Sequence, residues 1–257
     1  MRSFAALSPL LLLAAAAAGC SGTSSSDNTG RVALKLSTIP AGSSGASLMA
    51  PGLSVTLGGD VILIEDVQLV ARKIKLQRVN GSCPTPVVDE TSGTDADEAG
   101  TDECSNLRLG PMLIAPPLIA GVAASFTADV PIGTYDKMTL QIHKPAGSKD
   151  AAFLSANPDF SGVSIRVTGT FNTTPFTFTT PLTSVVEIAF PQVIEVTGGD
   201  VTALTLKLDV RDWFLADGGA SLVNPLTLTQ QGRSRIEQNI RASFHVFRDE
   251  NGDGIKD

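Results

Sequence analysis

The sequence predicts a mostly β protein: an antiparallel β-sandwich of about ten strands, followed by one amphipathic helix near the C-terminus. The first indication is the alternation of apolar and polar residues, as in RVALKLST, where Val32, Leu34 and Leu36 share one phase. A period of two is typical of a strand with one buried face. The second indication is that such segments are separated by turn-forming sequences, PIGTY, NTTP and TGGD. Short strands at this spacing, with almost no helical periodicity between them, favour a sandwich.

The same alternation continues along the chain. It is found in VILIEDVQLVARKIKLQRV, AASFTADV, DKMTLQIH, GVSIRVTGTF, TPFTFTTP, SVVEIAF and VTALTLKLDV. In the first of these segments the apolar phase changes between Leu69 and Ile74. An extra residue in one strand shifts the phase by one position, so we expect a bulge or a strand break near Ala71–Lys73.

The predicted helix covers SRIEQNIRASFHVF. Ser234 stands at the N-cap position and Glu237 three residues later, the pattern of a capping box. One face of this helix would be apolar and would pack on the sandwich. The residues on that face are Ile236, Ile240, Phe244 and Phe247.

The N-terminus has the organisation of a secretory signal. Arg2 is followed by an apolar run from Leu10 to Ala18 and then by Gly19 and Cys20. The run is shorter than the roughly 20 residues that a membrane-spanning helix needs. AAGC resembles the lipobox of bacterial lipoproteins, with Ala17 where that family usually has Leu. By this resemblance Cys20 is acylated and becomes the mature N-terminus; the alternative is an ordinary signal peptide with Cys20 beside the cleavage site.

Four regions follow from these patterns. Residues 1–19 form the lipoprotein signal peptide, 20–30 a flexible Ser/Gly/Thr-rich tether, 31–231 the β-sandwich domain, and 232–257 the helix with an acidic tail. By the enteric sorting rule, Ser21 after the cysteine directs the protein to the outer membrane, facing the periplasm or the exterior.

The charge of the chain excludes a nucleic-acid partner. The full chain carries a net charge of −7, and removal of Arg2 with residues 1–19 leaves −8. Binding to nucleic acid, or to anionic lipid by charge alone, would need a basic patch. Attachment to the membrane would therefore depend on the lipid.

Two cysteines remain in the mature chain, Cys83 and Cys104. An even number of cysteines in an exported protein predicts a disulfide between them. The segment that they enclose contains seven carboxylates and no basic residue, and its composition is typical of a solvated surface loop. Metal binding by this loop or by the two thiolates is the alternative.

The turn VPIGTYDKMTLQIHKP carries a second resemblance. Pro131, Gly133 and Tyr135 match the Pro-x-Gly-x-Tyr turn of transthyretin-like and carboxypeptidase-regulatory-like sandwiches. Together with the lipobox and the KIKLQR strand, the chain resembles bacterial lipoproteins that carry a β-rich domain of unknown function. That resemblance implies a Tyr packed across the next strand, and it implies no activity.

The last nine residues, DENGDGIKD, resemble a partial calcium loop of the EF-hand or dockerin kind. Position 6 is Gly254, and the ligand that an EF-hand has at position 12 lies beyond the end of the sequence. A calcium site and a solvated acidic terminus therefore both stay open. The calcium ligands would be Asp249, Asn251, Asp253 and Asp257 through their side chains and Ile255 through its carbonyl.

No catalytic motif is found, and the sequence predicts no catalytic residue. Both histidines lie in apolar segments, LQIH and FHVF, so we expect His143 and His245 to be structural. The predicted function is a lipid-anchored cell-envelope sandwich with a binding or structural role toward a protein or glycan partner, with calcium as the only cofactor considered. The alternatives are a glycan hydrolase using acids such as Glu187, Asp209 and Asp212, or a carbohydrate-binding module. The module would need Trp213 and Tyr135 exposed on one face.

Overall fold

The computed structural model describes residues 28–39, 52–81, 104–119 and 121–257. Fourteen strands lie in this part of the chain. They are β1 Thr29–Ile39, β2 Leu53–Leu57, β3 Asp60–Arg78, β4 Cys104–Arg108, β5 Met112–Ile114, β6 Gly121–Pro131, β7 Gly133–Ile142, β8 Ile165–Phe171, β9 Thr174–Thr180, β10 Ser184–Val196, β11 Val201–Leu208, β12 Leu215–Ala216, β13 Ser221–Leu222 and β14 Phe244–Arg248. The α-helices are α1 Ala151–Ala156 and α2 Gln230–Ala242.

Two larger sheets account for most of these strands. One has four strands in the order β14-β11-β1-β6. The other has eight: the order β10-β7-β3-β8-β9, with β2, β4 and β5 also paired to the long strand β3. Strands β12 and β13 form a separate pair. Apolar side chains of both larger sheets belong to one hydrophobic core, as expected for a sandwich.

The predicted fold class, mostly β and sandwich-like, is confirmed. Val32, Leu34 and Leu36 are buried, as their shared phase predicts. The described part has more strands than the ten expected, and one pair, β1 with β11, is parallel. Alternation reports which face of a strand is buried but not the direction of its neighbour. A long connection between two strands permits either direction.

The phase change in β3 corresponds to a bulge. Arg72 pairs with Gln141 of β7, while Lys75, three positions later, pairs with Thr139, only two positions away. Lys73, inside this irregularity, has a φ of 50°. The strand is therefore continuous but shifts register where the sequence predicts a bulge.

The predicted helix is wrong at both ends. Helix α2 begins after Thr229, whose hydroxyl oxygen accepts a hydrogen bond from the N–H of Gly232 at 3.1 Å. Ser234 lies inside the helix, and Glu237 accepts a hydrogen bond from the hydroxyl of Thr180 at 2.5 Å. The chain then leaves the helix and forms β14, paired with β11. The apolar residues of β14 are compatible with a strand as well as with one face of a helix. The segment forms a strand because the edge of β11 is available for pairing.

Among the described residues, no helix is long and apolar enough to cross a membrane.

Candidate functional site

The C-terminal loop, residues 249–257, is attached to the four-stranded sheet at its first residue. Strand β14 ends at Arg248, and the N–H of Asp249 donates to the carbonyl of Ala203 in β11 at 3.1 Å. The side chain of Lys35 in β1 donates to the carbonyl of Asp249 at 3.5 Å. Asp249 is fully buried, at 0% exposure. The loop is therefore a continuation of the sandwich.

The Asp249 carboxylate is the centre of the loop. One oxygen, Oδ1, accepts the N–H of Gly252 at 2.7 Å and of Asp253 at 3.1 Å. The other, Oδ2, accepts the N–H of Gly254 at 3.0 Å and the hydroxyl of Thr205 at 2.7 Å. Four donors compensate the loss of water around a buried charge. Gly252 and Gly254 have φ values of 74° and 77°, a conformation that Gly adopts without a steric penalty.

The other predicted ligands shape successive turns. Asn251 Oδ1 accepts the N–H of Asp253 at 2.9 Å, and Asp253 Oδ1 accepts the N–H of Ile255 at 2.7 Å. Asp257 Oδ2 accepts the N–H of Glu250 at 2.5 Å. The bonds of Asn251 and Asp253 are Asx-type turns, which bring side-chain oxygens to one short stretch of backbone, whereas the bond of Asp257 closes the loop on its own beginning.

The fit to calcium is therefore partial. Each oxygen of Asp249 already accepts two hydrogen bonds, whereas Asn251, Asp253 and Asp257 retain acceptor capacity. Among the described residues, no group of three or more His, Cys, Asp or Glu side chains is arranged to hold a metal ion. Calcium binding by this loop stays a prediction.

Of the three carboxylates considered for glycan hydrolysis, one lines a cleft and the other two are not among the described residues of that lining. Glu187 in β10 is ion-paired with Lys137 of β7 at 3.1 Å, and about half of its side chain is exposed. Asp209 follows β11 and lies beside a cleft of about 370 Å³. Of the described residues that line this cleft, Asp209 alone carries a carboxylate. Asp212 is exposed in the turn Val210–Asp212.

Trp213 and Tyr135 do not form the exposed aromatic platform that a carbohydrate-binding module would need, because both have 0% exposure. The indole N–H of Trp213 donates to the Ser243 hydroxyl at 2.8 Å. The Tyr135 hydroxyl donates to the carbonyl of Pro131 at 2.7 Å and lies 3.0 Å from the Ser105 hydroxyl. Each polar tip has a buried partner, so both rings serve the core and not a sugar surface.

The two histidines differ in their surroundings. His143 is largely buried, and its Nε2 lies 2.9 Å from Asp150 Oδ2, which also accepts the N–H of Ala146 at 2.8 Å. This arrangement agrees with a structural role. The apolar setting expected for His245 is wrong, because its side chain is 52% exposed and lies 3.0 Å from Asp209.

Sequence reasoning missed the cluster formed by Lys207, Asp209 and His245. Lys207 and His245 are partners in the register of β11 and β14, and Lys207 Nζ lies 2.8 Å from Asp209 Oδ1. Local sequence patterns do not indicate that these three residues meet, because His245 belongs to a segment that was predicted as helix.

Cys104 is buried and disulfide-bonded. The expected partner, Cys83, lies outside the described residues, as do Cys20 and the predicted signal peptide. The pairing of Cys83 with Cys104 and the acylation of Cys20 stay predictions.

Comparison of the chain with protein-family models, with curated proteins and with solved structures gave no match in any of the three.

Proposed function

We propose that the chain is a lipid-anchored cell-envelope protein whose β-sandwich has a binding or structural role toward an envelope protein or glycan. The observation that carries this proposal is the lipobox-like AAGC sequence ending at Cys20, followed by a Ser/Gly/Thr-rich tether. The first strand begins at Thr29. A tether of this length reaches about 30 Å when fully extended, so the sandwich would stay close to the membrane.

The pairing of β1 supports one orientation of the anchored domain. Thr29 pairs with Pro131 of β6, and Arg31 pairs with Val201 of β11. These residues share the end of the four-stranded sheet that is nearest to the tether, and in the proposal this end faces the membrane. Asp209, at the other end of β11, is then about 25 Å further away, at 3.3 Å per residue.

The enzymatic alternative has less support. A glycan hydrolase needs two carboxylates that flank one bond. The cleft beside Asp209 has that carboxylate alone among its described lining residues, and Glu187 is engaged with Lys137. A binding or structural role needs no such pair.

The anchor is tested by metabolic labelling with an alkyne fatty acid. The parent chain is expected in the membrane fraction with the label attached. Cys20→Ala is expected to lose both, while a Cys83→Ser, Cys104→Ser variant keeps the label because its lipidation residue is intact. An unlabelled parent, or equal labelling of the parent and Cys20→Ala, would refute the lipid anchor.

Calcium binding by the C-terminal loop is the second part of the proposal. It is supported by the turns that bring the oxygens of Asn251 and Asp253 to one stretch of backbone. Asp257 and the carbonyl of Ile255 would complete the set, while Asp249 holds the loop closed. With this incomplete set we expect a Kd of about 10⁻⁴ M or weaker, as in extracellular modules.

Calorimetric titration of the mature chain with calcium tests this part. Heat is expected from the parent and from Asp159→Asn, which changes an exposed acid elsewhere. It should disappear in Asp253→Asn, Asp257→Asn, because two charged ligands are lost. No heat from the parent would refute calcium binding, and the loop would then be a polar terminus held only by its own hydrogen bonds.

A further inference from the structure

The cleft beside Asp209 lies where the edges of the two sheets meet. Strand β10 is at one edge of the eight-stranded sheet, and β14 is at one edge of the four-stranded sheet. Strand β10 contributes Ile188, Ala189 and Pro191 to the lining, and β14 contributes Val246 and Phe247. Its volume, about 370 Å³, lies within the range of about 300–1,000 Å³ that is usual for small-molecule sites.

A register shift in β10 shapes the apolar side of this cleft. Ala189 pairs with Lys137 of β7, and the next paired residue is Ile194 with Tyr135. Three more residues lie on β10 than on β7 over this interval, and Pro191 is among them. Such an irregularity bends an edge strand and hinders pairing with another strand. The cleft is therefore better suited to a small molecule than to an added β-strand.

The polar side of the cleft is the cluster of Lys207, Asp209 and His245. Asp209 accepts from Lys207 Nζ at 2.8 Å and lies 3.0 Å from His245 Nε2. Its backbone is held in place, since its N–H donates to the carbonyl of Ser243 at 3.0 Å. The side chains remain accessible, with exposures of 25%, 29% and 52% for Lys207, Asp209 and His245.

The hydrogen-bond donors of this cluster favour an anion over a cation. The cluster has one carboxylate, and this group is already engaged by the Lys207 ammonium and the His245 ring. An ammonium has three donors, so Lys207 keeps two for a ligand after bonding Asp209. A ligand cation would find only the carboxylate of Asp209, both of whose oxygens already have a partner. An apolar lining with a few convergent polar groups is the usual composition of a small-molecule site.

We propose that this cleft binds an organic carboxylate with an apolar body, its carboxylate on Lys207 and His245 and its body against the exposed lining residues Ala189 and Pro191. The inference rests on the binding role proposed above, to which it gives a ligand class. It is tested on the mature chain carrying Cys20→Ser, so that loss of the lipid anchor and failure of ligand binding are observed in separate experiments.

The test is a titration with octanoate followed by the imidazole NMR signals. The chain has two histidines, so His245 reports on the cleft and His143 serves as the internal control. Octanoate is expected to shift the signals of His245 and leave those of His143 unchanged. Octyltrimethylammonium, with the same apolar body and the opposite charge, is expected to bind at least about tenfold more weakly.

Two variants separate this proposal from nonspecific apolar binding. Lys207→Gln should weaken octanoate binding about tenfold, because a hydrogen bond to a charged group is lost, and Lys207→Arg should keep it. Asp209→Asn should bind octanoate more tightly than the parent, because the competing carboxylate is gone. If Lys207→Gln does not fold, as judged by the His143 signals, the Asp209→Asn comparison decides. An unshifted His245, or weaker binding by Asp209→Asn, would overturn the proposal.

Discussion

The buried carboxylate of Asp249 accepts a hydrogen bond of 2.7 Å from the hydroxyl of Thr205, a residue 44 positions earlier in the chain. Thr205 is fully buried although its neighbours Leu204 and Leu206 occupy the core-facing phase of β11. The C-terminal loop therefore covers the outer face of this strand. A tail whose sequence predicts a polar, solvated terminus therefore becomes part of the packed structure, through this contact together with the bonds of the Asp249 backbone to Ala203 and Lys35.

Asp249→Asn is expected to lower the free energy of unfolding by about 2–4 kcal/mol, because an amide has one acceptor oxygen for four donors and loses the charge. The matched control is Asp253→Asn in the same loop, whose oxygen can still accept the N–H of Ile255. Urea unfolding in the presence of a chelator measures both without any contribution from calcium. Equal losses of unfolding free energy in the two variants would show that its burial and four donors give the Asp249 carboxylate no additional stabilising effect.

Ser243→Ala is expected to cost about 1–3 kcal/mol, because it leaves the indole N–H of Trp213 buried without its acceptor. The Ser243 hydroxyl also donates to the carbonyl of Ile240 at 2.8 Å, so one side chain joins the end of α2 to the core. Thermal unfolding followed by circular dichroism measures the effect, because this signal is kept when the single Trp is replaced. In the double variant with Trp213→Phe, the loss should be smaller than the sum of the single losses.

Thr229→Ala is expected to destabilise the protein by about 1 kcal/mol, because the N–H of Gly232 loses its cap. Ser234→Ala should change stability by less than about 0.5 kcal/mol, since Ser234 is exposed inside the helix. Urea unfolding of the two variants side by side distinguishes the observed cap from the capping box that the sequence predicts. The reverse order of effects would contradict the helix boundary described above.

Tyr135→Phe is expected to lower stability by about 1–2 kcal/mol, because the carbonyl of Pro131 loses its donor while the ring remains in place. Ser105→Ala removes a weaker partner of the same hydroxyl, at 3.0 Å, and should cost less. Differential scanning calorimetry compares the two variants. A loss for Tyr135→Phe no greater than that for Ser105→Ala would mean that the turn does not depend on this bond.

Reduction of the disulfide is expected to lower the melting temperature and to leave the circular dichroism spectrum of the folded protein unchanged. Closing a loop of about twenty residues stabilises a fold by about 3 kcal/mol in the chain-entropy model. Melting curves with and without a reducing agent measure this difference. Two free thiols in the oxidised, exported protein would contradict the pairing of Cys83 with Cys104.

Local patterns predicted the longer strands, such as β1, β3 and β8, because each of them buries one face and the apolar residues of that face alternate along the sequence. Short strands such as β5 contain too few residues to show this alternation. The bulge in β3 was predictable for the same reason, since an extra residue changes the phase of the apolar positions. The turn at Asn172 and Thr173, with φ values of 48° and 71°, lies in the NTTP segment where a break between strands was expected.

The candidate sites were less predictable because their residues converge from separate strands. Lys207 and His245 meet only through the pairing of β11 with β14, and the segment of His245 has apolar residues that suit a helix as well as a strand. Trp213 and Tyr135 were candidate sugar-binding residues in the sequence, but the identity of an aromatic residue does not indicate whether its ring will be buried.

The sequence by itself determined that the protein is mostly β, where most of its longer strands lie, and which of their faces are apolar. These features depend on neighbours within a few residues, where alternation and turn chemistry act. Only the tertiary structure decided the parallel pairing of β1 with β11, the end of α2, and the burial of Asp249 under the hydroxyl of Thr205. Each of these depends on which distant strand offers a free edge or a buried donor, and such partners exist only when the sheets have assembled.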